Sequence, residues 1–156
     1  MRLLVITQKV DKNDHILGFF HRWLEEFAKN FEKITVICLE RGQHSLIPGV
    51  KVLSLGKEKL KAKSYKLKAL WNFYKYIWQE RDNYDAVFVH MNQEYVILGW
   101  KSWWLLNKPI YLWRNHSKGD LFTDIAVLFS KKIFYTSPSS YTARFKKTKI
   151  MPVGID

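Results

Sequence analysis

At 156 residues, with 47% hydrophobic and 16% aromatic content, the chain has the size of one ordinary domain and is too apolar to be disordered. A single cysteine, Cys38, excludes an internal disulfide and points to a reducing compartment. The net charge of +12 selects anionic partners: phosphates, nucleic acid or an acidic membrane face.

The chain opens on a strand, MRLLVITQ at residues 1–8, whose apolar core LLVIT is too short for a signal peptide and lacks a small-residue cleavage pattern. A helix follows, in which Phe20, Trp23, Leu24, Phe27 and Phe31 recur at helical spacing while His21, Arg22, Glu25, Glu26 and Lys29 fill the other face. The near-continuous run ITVICL at 34–39 reads as a second strand buried on both faces, and VKVLSLG at 50–56, entered through Pro48 and Gly49, as a third. From Leu67 the residues Leu70, Trp71, Tyr74, Ile77 and Trp78 form an apolar stripe, expected to pack as core, within a lysine-rich segment.

A fourth strand is expected at 84–90, a helix at about 93–106, a strand at 109–116, a helix at about 121–131 and a strand at 132–137. A short helix from Ser139 and a last strand around 148–151 complete the series. The most apolar stretch, YVILGWKSWWLL at 95–106, is interrupted by Lys101 and falls short of the roughly 20 residues of a spanning helix, so a cytoplasmic protein is expected. Such alternation predicts a parallel α/β sheet of about six to seven strands with helices on both faces, joined by right-handed crossovers. The closing MPVGID, residues 151–156, reads as the end of the domain at 151 and the start of an interdomain connection at 152–156, with a second domain beyond.

In an open parallel sheet the ligand sits beyond the carboxyl ends of the strands. After the first strand, Asn13 or Asp14 is expected to cap the helix. Gly18 would let an anion approach backbone N–H groups there, or serve only packing, since neither G-x-G-x-x-G nor a P-loop motif is present. His90 and His116 end the fourth and fifth strands, with Arg114, Asn115 and Ser117 beside the second, and strand-end histidines suit acid/base chemistry or phosphate contacts. Ser137 is expected to cap the next helix.

Other chemistries find no support. The five histidines show no zinc spacing, and the calcium-like start DKNDH has Ile16 and Arg22 where glycine and glutamate are required. No G-x-S-x-G elbow accompanies a nucleophile, Cys38 lies mid-strand, and no D-x-D triplet is present. No metal site is expected.

The order MRLLVITQ, a loop with Gly18, ITVICLE, YDAVFVH, PIYLWRNHS, KIFYTSPSS and KIMPVGID resembles the N-terminal, acceptor-side half of a GT-B glycosyltransferase of family 4 over essentially the whole chain. The closing segment departs from that family in carrying Val153 where Asn is usual, and the glycine loop has one glycine where two are common. The resemblance implies a Rossmann-like domain of a retaining, metal-independent enzyme without cofactor. That enzyme would move a sugar from a UDP- or GDP-linked donor to an acceptor hydroxyl in cell-envelope or surface glycan synthesis.

On this resemblance His116 is catalytic, Gly18 meets the donor diphosphate, and His15, His90, Arg114 and Asn115 are the acceptor-binding candidates. The donor is held mainly by the absent C-terminal half, so the chain alone is expected to be inactive or nearly so. A glycan or lipid-linked acceptor is implied, and the lysines at 57–68, including Lys59, Lys61, Lys63 and Lys66, are candidates for contact with an anionic membrane surface. The alternative is a stand-alone, non-catalytic domain that binds anions, nucleic acid or a membrane surface, although no recognised nucleic-acid motif appears.

Overall fold

The computed structural model describes residues 1–46, 48–59 and 65–152. Seven strands make one sheet in the order β3-β2-β1-β4-β5-β6-β7, and the chain divides into two compact units, Met1–Asp85 and Ala86–Asp156. Val153 and the rest of the predicted interdomain connection after Pro152 lie outside the described residues, as do Lys61 and Lys63.

The first unit holds β1 (Arg2–Val10), α1 (Phe19–Asn30), β2 (Lys33–Arg41), β3 (Val50–Ser54) and α2 (Tyr65–Gln79). β1 pairs in parallel with β2, and β2 with β3. Residues 3–7 of β1 and 34–38 of β2 are buried without a break. Since successive strand residues face opposite sides, both faces of the sheet are covered, as the continuous apolar runs predicted. Arg2 fastens the start of β1: its Nε and Nη2 donate to the Asp85 carboxylate at 3.3 and 2.6 Å, and its backbone N–H donates to the same group at 2.8 Å. Gly49 sits at φ +98 in the turn into β3, a backbone region that favours glycine.

Two sequence expectations change here. α1 buries Phe20 and Leu24 as predicted, but also His21, assigned to the polar face. Its Nδ1 lies 3.3 Å from Glu25 Oε1, and its Nε2 accepts the Ser45 N–H at 3.3 Å, so its polar atoms are served within the unit. The correction in α2 is larger. The buried residues are Ala69, Phe73 and Ile77, whereas Leu67, Leu70, Trp71 and Trp78 are exposed, Leu67 by 80% and Trp71 by 72%. The stripe expected to form core is therefore mostly the outer face. Ala69, Phe73 and Ile77 are packed inside, while the two indole rings of Trp71 and Trp78 remain outside.

The second unit holds β4 (Ala86–His90), α3 (Glu94–Leu105), β5 (Ile110–Trp113), α4 (Leu121–Phe129), β6 (Lys132–Tyr135) and β7 (Thr148–Ile150), with parallel pairing from β4 to β7. The helix expected from Ser139 is only a 3-10 turn, Tyr141–Arg144. Every residue of β4 is buried. Trp100 of α3 stacks on Phe129 of α4 at 4.0 Å between ring centroids and 3° between planes, and a side chain at Gly99 would collide with the ring of Trp103. α4 starts from a reciprocal cap in which Asp120 Oδ1 accepts the Thr123 N–H at 2.9 Å.

His90 is fully buried, its ring stacked on Trp113 at 4.9 Å, and burial pushes its pKa from 6.5 down to about 3. Because the folded-state value lies below the unfolded one, the unfolded chain takes up the proton first. His90 therefore lowers stability progressively as pH falls from about 6.5 towards 3, and has no such effect above that window. Equilibrium denaturation at pH 7 and pH 5 should show a loss about 2 kcal/mol larger for the native chain than for His90→Phe. Equal losses in the two proteins would mean that the folded-state ring titrates normally.

Candidate functional site

β5 is only four residues long, so Arg114, Asn115 and His116 extend beyond its carboxyl end as loop rather than strand. The Arg114 side chain turns inward. Only 8% of the residue is exposed, its Nε donates to Gln93 Oε1 at 3.0 Å, and its Nη1 donates to the Lys118 carbonyl at 3.0 Å. Its own carbonyl accepts from Ser140 Oγ at 3.2 Å and Thr142 Oγ1 at 3.0 Å. Burial lowers the guanidinium pKa, opposed by the charges of Asp120 and Glu94.

Asn115 and His116 are exposed. Asn115 Oδ1 accepts the N–H groups of Thr136 and Ser137 at 3.1 and 2.8 Å, which ties the loop after β6 to the loop after β5. His116 has its backbone carbonyl fixed by the Tyr141 N–H at 2.9 Å. Its Nδ1 lies 3.1 Å from both the N–H and the carbonyl oxygen of Lys118. With Nδ1 as acceptor the ring proton is on Nε2, and with Nδ1 as donor Nε2 holds the lone pair. In either tautomer Nδ1 is occupied, and Nε2 of this exposed residue has no hydrogen-bond partner among the described residues. Gly119 completes the loop: a side chain there would enter the ring of Tyr141. The structure thus brings Arg114, Asn115 and His116 together on one loop, whereas His90, whose strand ends beside β5, lies in the core.

The sequence reading missed the supports of this loop. Gln93, Lys118, Ser140 and Thr142 act through two backbone carbonyls and one side-chain amide, and neither periodicity nor motif spacing marks such contacts. The one readable signal was the D-x-x-T cap of Asp120 and Thr123, which fixes where the loop must end. Ser137 does not cap a helix; its Oγ lies 2.7 Å from Ser139 Oγ and accepts the Ser139 N–H at 3.3 Å.

In the first unit the loop after β1 is braced by charge. Lys9 Nζ lies 2.9 Å from Asp14, 3.3 Å from Glu40 and 3.5 Å from Asp11. The Asp14 carboxylate accepts the N–H groups of Leu17 and Ile16, and with Lys9 these hold its pKa well below the usual range. Asp14 thereby shapes the turn before α1 but does not cap it; the capping position is Gly18, with no side chain to contribute. Gly18 has ordinary helical φ, donates its N–H to the Asp14 carbonyl at 3.0 Å, and leaves no room for a Cβ, which would meet that oxygen at 2.5 Å. The first turn of α1 contains no acidic residue. His15 is exposed on this loop.

Neither of two concavities is lined by residues of the 114–118 loop. One, of about 650 Å³, lies by the amino end of β5 and is lined by Trp100, Trp104, Leu128, Lys108 and Lys131; the other, of about 260 Å³, is lined by Arg41, Lys59, Lys68, Asn72 and Tyr76. Lys57, Lys59, Lys66 and Lys68 are exposed. Among the described residues no group of three His, Cys, Asp or Glu side chains is placed to hold a metal ion, and no helix is long and apolar enough to cross a membrane.

No family model and no curated protein matches this sequence. Solved structures do match. Anabaena Alr3699/HepE, solved in complex with UDP, is 17% identical with a TM-score of 0.64, over 100% of this chain and 45% of its own. The lipopolysaccharide outer core galactosyltransferase WaaB is 10% identical with a TM-score of 0.67, over 100% and 46%. The UDP-GlcNAc 2-epimerase from Methanocaldococcus jannaschii is 16% identical with a TM-score of 0.54, over 97% and 45%. The chain spans less than half the length of each, and at such identities the likeness concerns the fold, which a transferase and an epimerase share. The seven-stranded Rossmann-like sheet is similar to that in one half of each of these proteins, the glycosyltransferase WaaB among them.

Proposed function

We propose that the chain is the N-terminal, acceptor-side half of a retaining, family 4 glycosyltransferase that moves a sugar from a UDP- or GDP-linked donor to an acceptor hydroxyl. The observation that best supports this is the exposed His116 on the loop after β5, with Nδ1 held by Lys118 and Nε2 unengaged among the described residues, at the carboxyl end of a strand in a fold like that of a GT-B half. In the reaction the acceptor hydroxyl oxygen bonds to the sugar C1 as the bond from C1 to the diphosphate oxygen breaks, and the nucleoside diphosphate departs carrying the hydroxyl proton. His116 orients groups at that centre, while Arg114 and Asn115, with His15, hold the acceptor. His90 contributes as a neutral, buried support.

Gly18 opens α1, whose first turn has no carboxylate to offset the positive end of the helix dipole, and this supports a diphosphate contact there. The Gly18 N–H is already engaged by Asp14, so the contribution is made by the helix end as a whole. The C-terminal half supplies most of the donor site. No metal is needed in this scheme, because the cationic and N–H groups neutralise the leaving diphosphate.

An epimerase reading is kept in view by the shared fold. Transfer of a labelled sugar from donor to acceptor by the two-half protein separates the two, since an epimerase converts the donor with no acceptor present. In that protein His116→Ala should lower kcat by about 100-fold or more with little change in stability. Near-normal transfer by the variant would remove the catalytic assignment.

The place of action is proposed to be the cytoplasmic face of a membrane. Support comes from α2, where exposed Leu67 and Trp71 lie on the same helix as exposed Lys66 and Lys68, an arrangement suited to an anionic interface. Lys59 stands before the helix, and Lys61 and Lys63 belong to the same cluster by sequence. Sedimentation with vesicles containing phosphatidylserine should weaken about fivefold for each of Lys59, Lys66 and Lys68 changed to Gln, at roughly 1 kcal/mol per basic residue. Unchanged binding in the triple variant would sink the membrane reading.

A further inference from the structure

We infer that Arg114 is a binding site for a phosphate or carboxylate group carried by the acceptor, so that the substrate of this half is an anionic glycan or glycolipid, not a neutral sugar. The inference rests on the transferase reading for the word acceptor, but the anion site itself stands on the geometry of the 114–118 loop.

A buried guanidinium is normally found with a carboxylate or phosphate, because its charge loses hydration on burial and neutral acceptors replace only part of it. Arg114 is 92% buried by its 8% exposure, yet it forms no ion pair among the described residues. Its two side-chain hydrogen bonds go to a neutral amide oxygen and a neutral carbonyl. Of five N–H donors, three have no acceptor among the described residues; those on Nη2 belong to this remainder and are open to solvent, where a ligand could reach them. Asp120 and Glu94 act on Arg114 only through their charge, and the Asp120 carboxylate is engaged by Thr123.

The bonds that are made fix the guanidinium in place. Gln93 holds Nε from the turn that follows β4, and the Lys118 carbonyl holds Nη1 from within the loop. The same loop presents His116 and the exposed Lys118 and Ser117, all able to donate to an anion. A rigid planar fork with donors to spare, beside exposed donors and at a strand's carboxyl end, has the features of a two-point site for a planar carboxylate or a phosphate. Two of the three acidic residues at 86–152 stand at helix starts and the third lies in the first turn of α4, so none of the described residues of this unit supplies the missing counter-charge.

The test is a titration of the uniformly 15N-labelled chain followed through the Arg114 Nε–Hε resonance, identified by its loss in Arg114→Lys. Three probes are used: inorganic pyrophosphate, methyl glucuronide and methyl glucoside. The expected result is a saturable shift of that resonance with pyrophosphate, with methyl glucuronide or with both, none with methyl glucoside, and retention of the shift in Lys118→Gln. Which anion acts more tightly distinguishes a phosphate-bearing acceptor from a uronic acid. In Arg114→Gln the affinity for the active probe should fall at least tenfold, and in Arg114→Lys, which keeps charge but loses the fork, severalfold.

Absence of any shift with both anions in the native chain would overturn the inference, whatever the variants do to folding. So would equal shifts with methyl glucoside. In the two-half protein, transfer to neutral and anionic acceptors at equal rates overturns the anionic acceptor and leaves the transferase intact. Anion binding at Arg114 with no sugar transfer to any acceptor does the reverse.

Discussion

The inward turn of Arg114 is the interaction on which the arrangement of the second unit's carboxyl edge depends. Its guanidinium reaches back to the turn after β4 through Gln93 and forward to Lys118, while its carbonyl receives Ser140 and Thr142 from the 3-10 turn after β6. Three connections that are far apart in sequence are thus fixed to a single residue. Because β5 is so short, the chain leaves the sheet at Arg114 and could otherwise take many paths. The Arg114 contacts, with Asn115 bonded to 136–137, choose one of them, and His116 receives its position as a consequence. Gly119 belongs to the same arrangement, since a larger residue would displace Tyr141, whose N–H fixes the His116 carbonyl.

Hydrophobic pattern made the sheet legible from sequence. Runs such as LLVIT and ITVICL are apolar on consecutive residues, and only a strand covered on both faces makes use of that, so β1, β2 and β4 could be placed within a few residues. Helix existence was equally legible, but the orientation of α2 was not. Both of its long faces are apolar, one with Leu67, Leu70, Trp71 and Trp78, the other with Ala69, Phe73 and Ile77. Summed hydrophobicity does not separate the two faces, and the folded unit buries the one with Ala69, Phe73 and Ile77 and leaves Trp71 and Trp78 outside. His21 was misplaced for a related reason: its period puts it at the border of the buried face, and only the folded chain supplies the Ser45 N–H that makes its burial tolerable.

The candidate site was legible as a list of residues but not as an arrangement. Strand ends pointed to His90 and His116 alike, yet one is packed on Trp113 and the other faces outward. The difference is where each strand stops. β4 includes His90 as its last residue, inside the sheet, while β5 ends three residues before His116. Gly18 shows the same limit. Its place after the first strand was readable, but the reason for a glycine, the approach of the Asp14 carbonyl, depends on a loop held by Lys9. Contacts of backbone carbonyls carry no residue-type signature, and they are what position this site.

The charge of the chain also acquires a local meaning once the acids are placed. At 86–152 the acidic residues are Glu94, Asp120 and Asp124, all in the opening turns or caps of α3 and α4. There they complement the positive ends of the helix dipoles, and Asp124 in addition receives the Tyr141 hydroxyl at 2.9 Å. Each is committed to a helix start or to the 3-10 turn, so none is available to approach Arg114, although two are near enough for their charge to act on it. Had Asp120 turned to the guanidinium, the cap of α4 would be lost and with it a stabilisation of about 1 kcal/mol. The sequence thus spends its few carboxylates on local structure and leaves the one buried cation of this edge without a counter-charge among the described residues. The Nη2 donors of Arg114 are unengaged among those residues and open to solvent, so an anion could replace water there and supply the charge that no carboxylate of this edge provides.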